Sequence, residues 1–116
     1  MKREQRLRSA ADFQRAREAA PRAWAHPLLV LYAAPNDLPV SRIGITVSSR
    51  VGKAVVRNRV RRRIREAARV LVPVLPPGRD LLFIARPPSA NASWVELKEA
   101  VERVLTRAGL LTAVTA

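Results

Sequence analysis

Residues 54–71 constrain the fold of this chain most, because they thread a helical apolar pattern through a block of arginine. Val56, Val60, Ile64, Ala67 and Leu71 recur at three- and four-residue spacing. At about 100° per residue they gather into one narrow stripe on a helix. Residues 57–65 supply six arginines around that stripe. Arg57, Arg61 and Arg65 form a row along one edge, and Arg59 and Arg63 a row along the other. Such a helix packs by a thin apolar seam and presents a wide cationic surface. From residue 41 to residue 70 there are ten basic side chains against Glu66 alone, a local balance of +9 within a whole-chain charge of +13. Arg57/Arg61, Arg61/Arg65 and Arg59/Arg63 are like pairs one helical turn apart, each costing roughly 0.2–0.5 kcal/mol. Arg62/Glu66 is the obvious compensating pair. A polyanion outside the chain would complete the pattern.

At 116 residues the sequence is read as one domain, 1–116, long enough for a single core. A hydrophobic content of 48% argues for a folded chain and against a disordered basic tail. The pI near 11.9 puts nucleic acid first among partners and an acidic membrane surface second. The excess of arginine over lysine fits a GC-rich genome, but codon bias does not explain the net charge. Disulfides and thiolate metal sites are excluded by the absence of cysteine. The first residues lack a secretory apolar core, and no apolar run approaches the ~18 residues of a membrane span, so a cytoplasmic location is expected.

Ser9 and Asp12 have the spacing of an N-cap and open a helix over about 10–20, which Pro21 stops. Residues 28–34 are a short apolar strand followed by a Pro35-Asn36-Asp37 turn. Residues 41–48 alternate, with Ile43, Ile45 and Val47 on one face and Arg42, Gly44 and Thr46 on the other. This half-buried strand is expected to run antiparallel to its predecessor across the short connection. After the arginine helix, Pro73 and Pro76-Pro77-Gly78 turn the chain into a strand over 80–85. Ser93 and Glu96 form a capping box for a last helix, with Trp94, Leu97, Val101, Val104 and Leu105 inward and Gly109 as its stop. This order of elements predicts an α/β sandwich of helices over a small sheet. If the strands flanking the arginine helix are parallel, generic chirality predicts a right-handed crossover.

Residues 42–69, RIGITVSSRVGKAVVRNRVRRRIREAAR, closely resemble the protein component of bacterial ribonuclease P. The shared elements are the strand end Val47-Ser48-Ser49-Arg50, the turn Val51-Gly52-Lys53, the core Ala54-Val55-Val56-Arg57-Asn58-Arg59, and the basic helix with its Arg65-Glu66 pair. Arg6-Leu7, Asp12-Phe13-Gln14, Val30-Leu31-Tyr32 and residues 82–86 extend the similarity over nearly the whole chain. The resemblance implies an α+β two-layer sandwich with a four-stranded sheet and three helices. It is a ribosomal-protein-like fold with a left-handed βαβ crossover and a fourth, short strand near 24–27. It further implies an accessory subunit of an endoribonuclease whose RNA subunit carries catalysis with Mg²⁺ held mainly by RNA, and whose protein binds that RNA and precursor tRNA. No membrane and no protein partner is required. Carried over residue by residue, Lys53, Arg57, Asn58, Arg59, Arg61, Arg62 and Arg65 would contact the RNA subunit. Phe13, Tyr32, Ser48, Arg50 and Arg86 would line a cleft for the single-stranded 5′ leader of precursor tRNA. Two positions depart from the family pattern: Arg17 stands where a second aromatic is common, and Pro87 where a basic residue often follows Arg86.

Each candidate has an ordinary reading beside the functional one. Phe13 and Tyr32 suit a core as well as a stacking platform, and Asn58 is either a surface amide or a contact to sugar or base edges. For the arginine run, a solvated charged face would normally mix signs, and this one does not. Arginine's planar fork grips phosphate and stacks on bases. His26, the single histidine, has no acid or base placed beside it by any motif, and no catalytic residue or metal site is assigned to the chain. The remaining alternatives are a ribosomal or general RNA-binding protein, and a DNA-binding protein, for which the arginine face has too few base-reading residues.

Overall fold

The computed structural model describes residues 6, 7 and 9–112. Helix α1 (Ala10–Ala19) begins where the Ser9 Oγ accepts the Asp12 N–H at 3.0 Å, and it ends before Pro21. Strands β1 (Ala23–Ala25), β2 (Leu29–Pro35) and β3 (Arg42–Val47) follow, then α2 (Ala54–Arg69), β4 (Arg79–Ala85) and α3 (Trp94–Arg107). Proline-led 3-10 turns, Val72–Val74 and Pro87–Asn91, follow α2 and β4. The sheet order is β1-β2-β4-β3, antiparallel except for the parallel pair β3/β4. Four strands and three helices are thus the expected α+β architecture, and β1, which pairs Trp24 with Leu31, is the short extra strand.

β3 runs antiparallel to β2, but the two are not neighbours, because β4 lies between them. Burial explains the insertion. Asp80, Leu81, Leu82 and Phe83 of β4 are buried on both faces, so this strand belongs where neighbours and helices cover it completely. The loop between β2 and β3 straps over the start of β4. The Asn36 N–H donates to the Gly78 carbonyl, Ser41 Oγ to the Pro76 carbonyl, and the Arg79 N–H to Ser41 Oγ. Asp80, buried at the same place, accepts from Arg42 Nε and Nη2 at 2.8 and 2.7 Å and from Asn36 Nδ2 at 2.8 Å. These bonds satisfy a buried carboxylate that would otherwise be costly, and they hold the Arg42 guanidinium above its usual pKa. Arg42 therefore drops out of the exposed cationic surface.

One sheet face carries the main core. Leu29 and Leu31 of β2, Ile43 and Val47 of β3, and Leu81 and Phe83 of β4 pack against Val60, Ile64 and Ala67 of α2 and Leu97, Val101, Val104 and Leu105 of α3. Each fully buried side chain of this size contributes about 1.5–3 kcal/mol. The alternation of β3 and the stripes of both helices read from sequence are the faces that meet. Helix α1 covers part of the opposite face, with Leu7, Phe13 and Ala16 on Tyr32, Leu82 and Ile84. Gly44 makes this possible. A Cβ there would lie 2.7 Å from Phe13 Cε1 and 2.9 Å from Leu7 Cδ1, so any side chain would displace the helix or the ring.

The capping box of α3 forms in full: Ser93 Oγ accepts the Glu96 N–H at 3.1 Å, and Glu96 Oε1 accepts the Ser93 N–H at 2.9 Å. Gly109, with φ +77°, lies just past its end. Trp94 corrects the sequence reading, since it is 39% exposed instead of inward. It sits in the first turn of α3 and lies beside α2.

A candidate RNA interface

Helix α2 begins without a side-chain cap and without an acidic residue in its first turn, so Lys53 and the free N-terminal amides present only positive charge. The expected Arg62/Glu66 pair is not formed. Glu66 instead takes Arg69, whose Nε donates to Glu66 Oε2 at 2.7 Å, and this bond holds the Glu66 carboxyl below its ordinary range. Glutamate ahead of a basic residue is the orientation the helix dipole favours. Among the described residues no other α2 side chain forms an ion pair. Arg62 is exposed.

Two arginines are held by neutral groups. Arg59 Nη2 donates to the Ala90 carbonyl at 3.1 Å and Arg63 Nη1 to the Ala92 carbonyl at 3.0 Å, which ties α2 to the turn before α3. Their charge remains uncompensated. Arg61 Nη1 donates to Asn58 Oδ1 at 2.9 Å, which fixes the Asn58 amide. Burial, followed by the charges of Arg6 and Arg61, lowers the pKa of Arg65. Half-buried Arg57 has its Nε enclosed without a partner. Apart from Arg69, the guanidinium groups of α2 have no carboxylate partner among the described residues, a state that phosphate relieves.

On the other face of the sheet, α1 leaves a cleft of about 580 Å³ beside it. Phe13, Gln14 and Arg17 of α1 form one wall, Leu82 and Ile84 of β4 and Thr46 of β3 line the sheet, and Ser48 and Arg50 lie just past the end of β3. Phe13, Ser48 and Arg50 are thereby brought together. Tyr32 stands next to Leu82 on the same face, under the Arg17 guanidinium, 5.4 Å from its ring centre. Arg86 is directed elsewhere and donates to the His26 carbonyl at 3.2 Å. Sequence reasoning passed over Gln14, Thr46, Leu82 and Ile84. The alternation of β3 does put Thr46 on the cleft face, whereas the unbroken apolar run of β4 hides which residues face which way. Arg17, where an aromatic was anticipated, stacks on an aromatic instead of being one. A larger recess of 660 Å³ at the far end of α1 holds the self-neutralised Arg42–Asp80 pair and so lacks the anion-seeking character of α2.

Fold, cationic helix and cleft define a small, strongly basic α+β protein class, and comparison with known proteins narrows it. A family model described as Ribonuclease P matches residues 1–109. The ribonuclease P protein component of Roseiflexus castenholzii is 48% identical over 112 residues, covering 96% of this chain and 91% of that protein. The Herpetosiphon aurantiacus protein is 46% identical over 110 residues, covering 95% and 89%. Among solved structures, the Staphylococcus aureus RNase P protein superposes with a TM-score of 0.84 at 32% identity, covering 91% of this chain and 96% of its own. The Thermotoga maritima RNase P protein gives 0.78 at 28% identity, covering 88% and 96%. The chain belongs to the ribonuclease P protein family.

Proposed function

We propose that this chain, as a ribonuclease P subunit, binds the catalytic RNA through α2 and the 5′ leader of precursor tRNA through the α1 cleft. The observation that carries this reading is the α2 surface, where Arg57, Arg61, Arg62 and Arg65 have no carboxylate partner among the described residues. Lys53, Arg57, Arg61, Arg62 and Arg65 screen phosphate repulsion and fix the local fold of the RNA, while Arg59 and Arg63 add charge from positions clamped to the 90–92 turn. In the cleft, Phe13 and Ile84 offer aromatic and apolar surface to bases over the buried Leu82, and Ser48 and Arg50 meet the backbone. The Arg17–Tyr32 stack takes the place of a second aromatic on α1. Arg86, bonded to the His26 carbonyl, lies outside the cleft lining and is not given a part in leader binding.

Among the described residues no group of three or more His, Asp or Glu could hold a metal ion. The described residues offer no such cluster, and Mg²⁺ is assigned mainly to RNA oxygens, from which it would supply activation of water. What the protein contributes is binding and orientation. Reconstitution with a bacterial ribonuclease P RNA tests this. At low Mg²⁺ the protein should raise the rate of 5′ processing and favour precursor over mature tRNA; RNA binding without any such help would reduce the chain to a general RNA-binding protein.

A further inference from the structure

A groove of about 260 Å³ lies between α2 and α3, on the side of the sheet away from the cleft, lined by Arg62, Arg63, Glu66, Val70 and Trp94. Val70 is 52% exposed and Trp94 39%, so two large apolar groups face solvent together. Glu66, the one acid in the groove, has both carboxylate oxygens engaged by Arg69, at 2.7 and 3.3 Å. Among the described residues Arg62 has no partner, and Arg63 has only a carbonyl. The groove thus has an aromatic wall and a net cationic rim. Its volume falls below the ~300 Å³ at which pockets for drug-sized ligands begin, which suits one planar ring system.

We propose that this groove is a further RNA contact, in which one unpaired base of the structured RNA engaged by α2 stacks on Trp94. The proposal rests on the reading of α2 as an RNA-binding helix and extends it to α3. Charge decides the occupant: an aromatic platform flanked by arginines matches a base attached to phosphate, whereas an apolar protein side chain would leave Arg62 unused. The base belongs to the RNA held on α2, because the whole sheet separates the groove from a strand in the cleft.

The chain has two tryptophans. Trp24 is half-buried beneath the Arg22 guanidinium, 3.8 Å from its ring centre, and serves as the internal control. With a bacterial ribonuclease P RNA as probe, Trp24→Phe, which leaves Trp94 as reporter, should lose at least half its fluorescence at saturation, and Trp94→Phe should change little. Trp94→Ala should weaken binding about tenfold, with most of that loss recovered in Trp94→Phe. Val70→Glu, in the groove wall, should weaken binding more than Val95→Glu, which adds the same charge on α3 outside the groove. Circular dichroism checks folding of each variant. Unquenched Trp94 at saturation, or equal affinities for Trp94→Ala and the unmodified chain while Arg57→Ala binds weakly, would overturn the stacking site and leave the α2 reading standing. Quenching by an acidic peptide but not by RNA would overturn it in favour of a protein partner. Failure of the unmodified chain to bind the RNA would remove both.

Discussion

Arg62 and Arg63 are adjacent, yet their guanidinium groups have different obligations. Arg63 clamps the Ala92 carbonyl, and Arg59 does the same to Ala90, whereas Arg62 has no partner among the described residues. A hydrogen bond of this kind contributes about 1 kcal/mol at a partly exposed site, which corresponds to roughly 4–8 °C in Tm for a small domain. Arg63→Ala and Arg59→Ala should therefore lower Tm by a few degrees and weaken RNA binding, while Arg62→Ala should weaken binding with Tm unchanged. Thermal melts paired with binding assays separate the two, and equal Tm losses would contradict the clamp. His26 makes a pH-dependent prediction. Its Nδ1 accepts the Leu28 N–H at 3.0 Å, and burial, followed by the charges of Arg107 and Arg103, lowers its pKa. Folding thus depresses the pKa, the unfolded chain binds more protons, and stability rises with pH. The contribution is complete above the ordinary imidazole pKa of about 6.5 and is lost as pH falls through the lower folded value. His26→Asn keeps an acceptor for Leu28 without titrating at these pH values. Melts from pH 7.5 down to pH 5 should show a smaller loss of Tm for the variant than for the unmodified chain, and parallel losses would contradict this role for His26.

At the scale of elements, α1 is seated by a contact with a glycine. A methyl group at Gly44 would press on Phe13 and Leu7, and overpacking of this kind costs about 1–3 kcal/mol. Gly44→Ala should lower Tm and reduce the preference for precursor over mature tRNA, while affinity for the catalytic RNA stays the same. Unchanged preference would show that the cleft does not depend on how α1 sits. Helices, caps and strand faces were legible because each leaves a local signal: the Ser9 and Ser93 caps, the stripe of α2, the alternation of β3. The position of β4 between β2 and β3 was not, since strand order depends on which strand must be buried on both faces, and that is a property of the assembled sheet. For the same reason the cleft was only partly legible. Phe13, Ser48 and Arg50 were singled out through family resemblance, while Leu82 and Ile84 lie in an apolar run with no period to orient it. The Asp80 network was missed because Asp80, Arg42 and Asn36 converge from three separate segments. Trp94 follows the helical period but lies in the groove against α2 and stays 39% exposed.

For the whole molecule, the two proposed RNA surfaces lie on opposite faces of one sheet in a body of 39 × 36 × 26 Å. Arg65 of α2 and Phe13 of the cleft wall line one small pocket at the β3 edge, so a single RNA assembly can reach both. Among the described residues no helix is long and apolar enough to cross a membrane, and the charge of +13 has little internal compensation along α2. If about six phosphates are neutralised there, affinity should fall with salt at a log–log slope of roughly −4 to −5. The most direct test is therefore the dissociation constant of the complex with a bacterial ribonuclease P RNA, measured across a salt series. A slope in that range, reduced by about one in Arg62→Ala, is the predicted result, and affinity indifferent to salt would contradict the account.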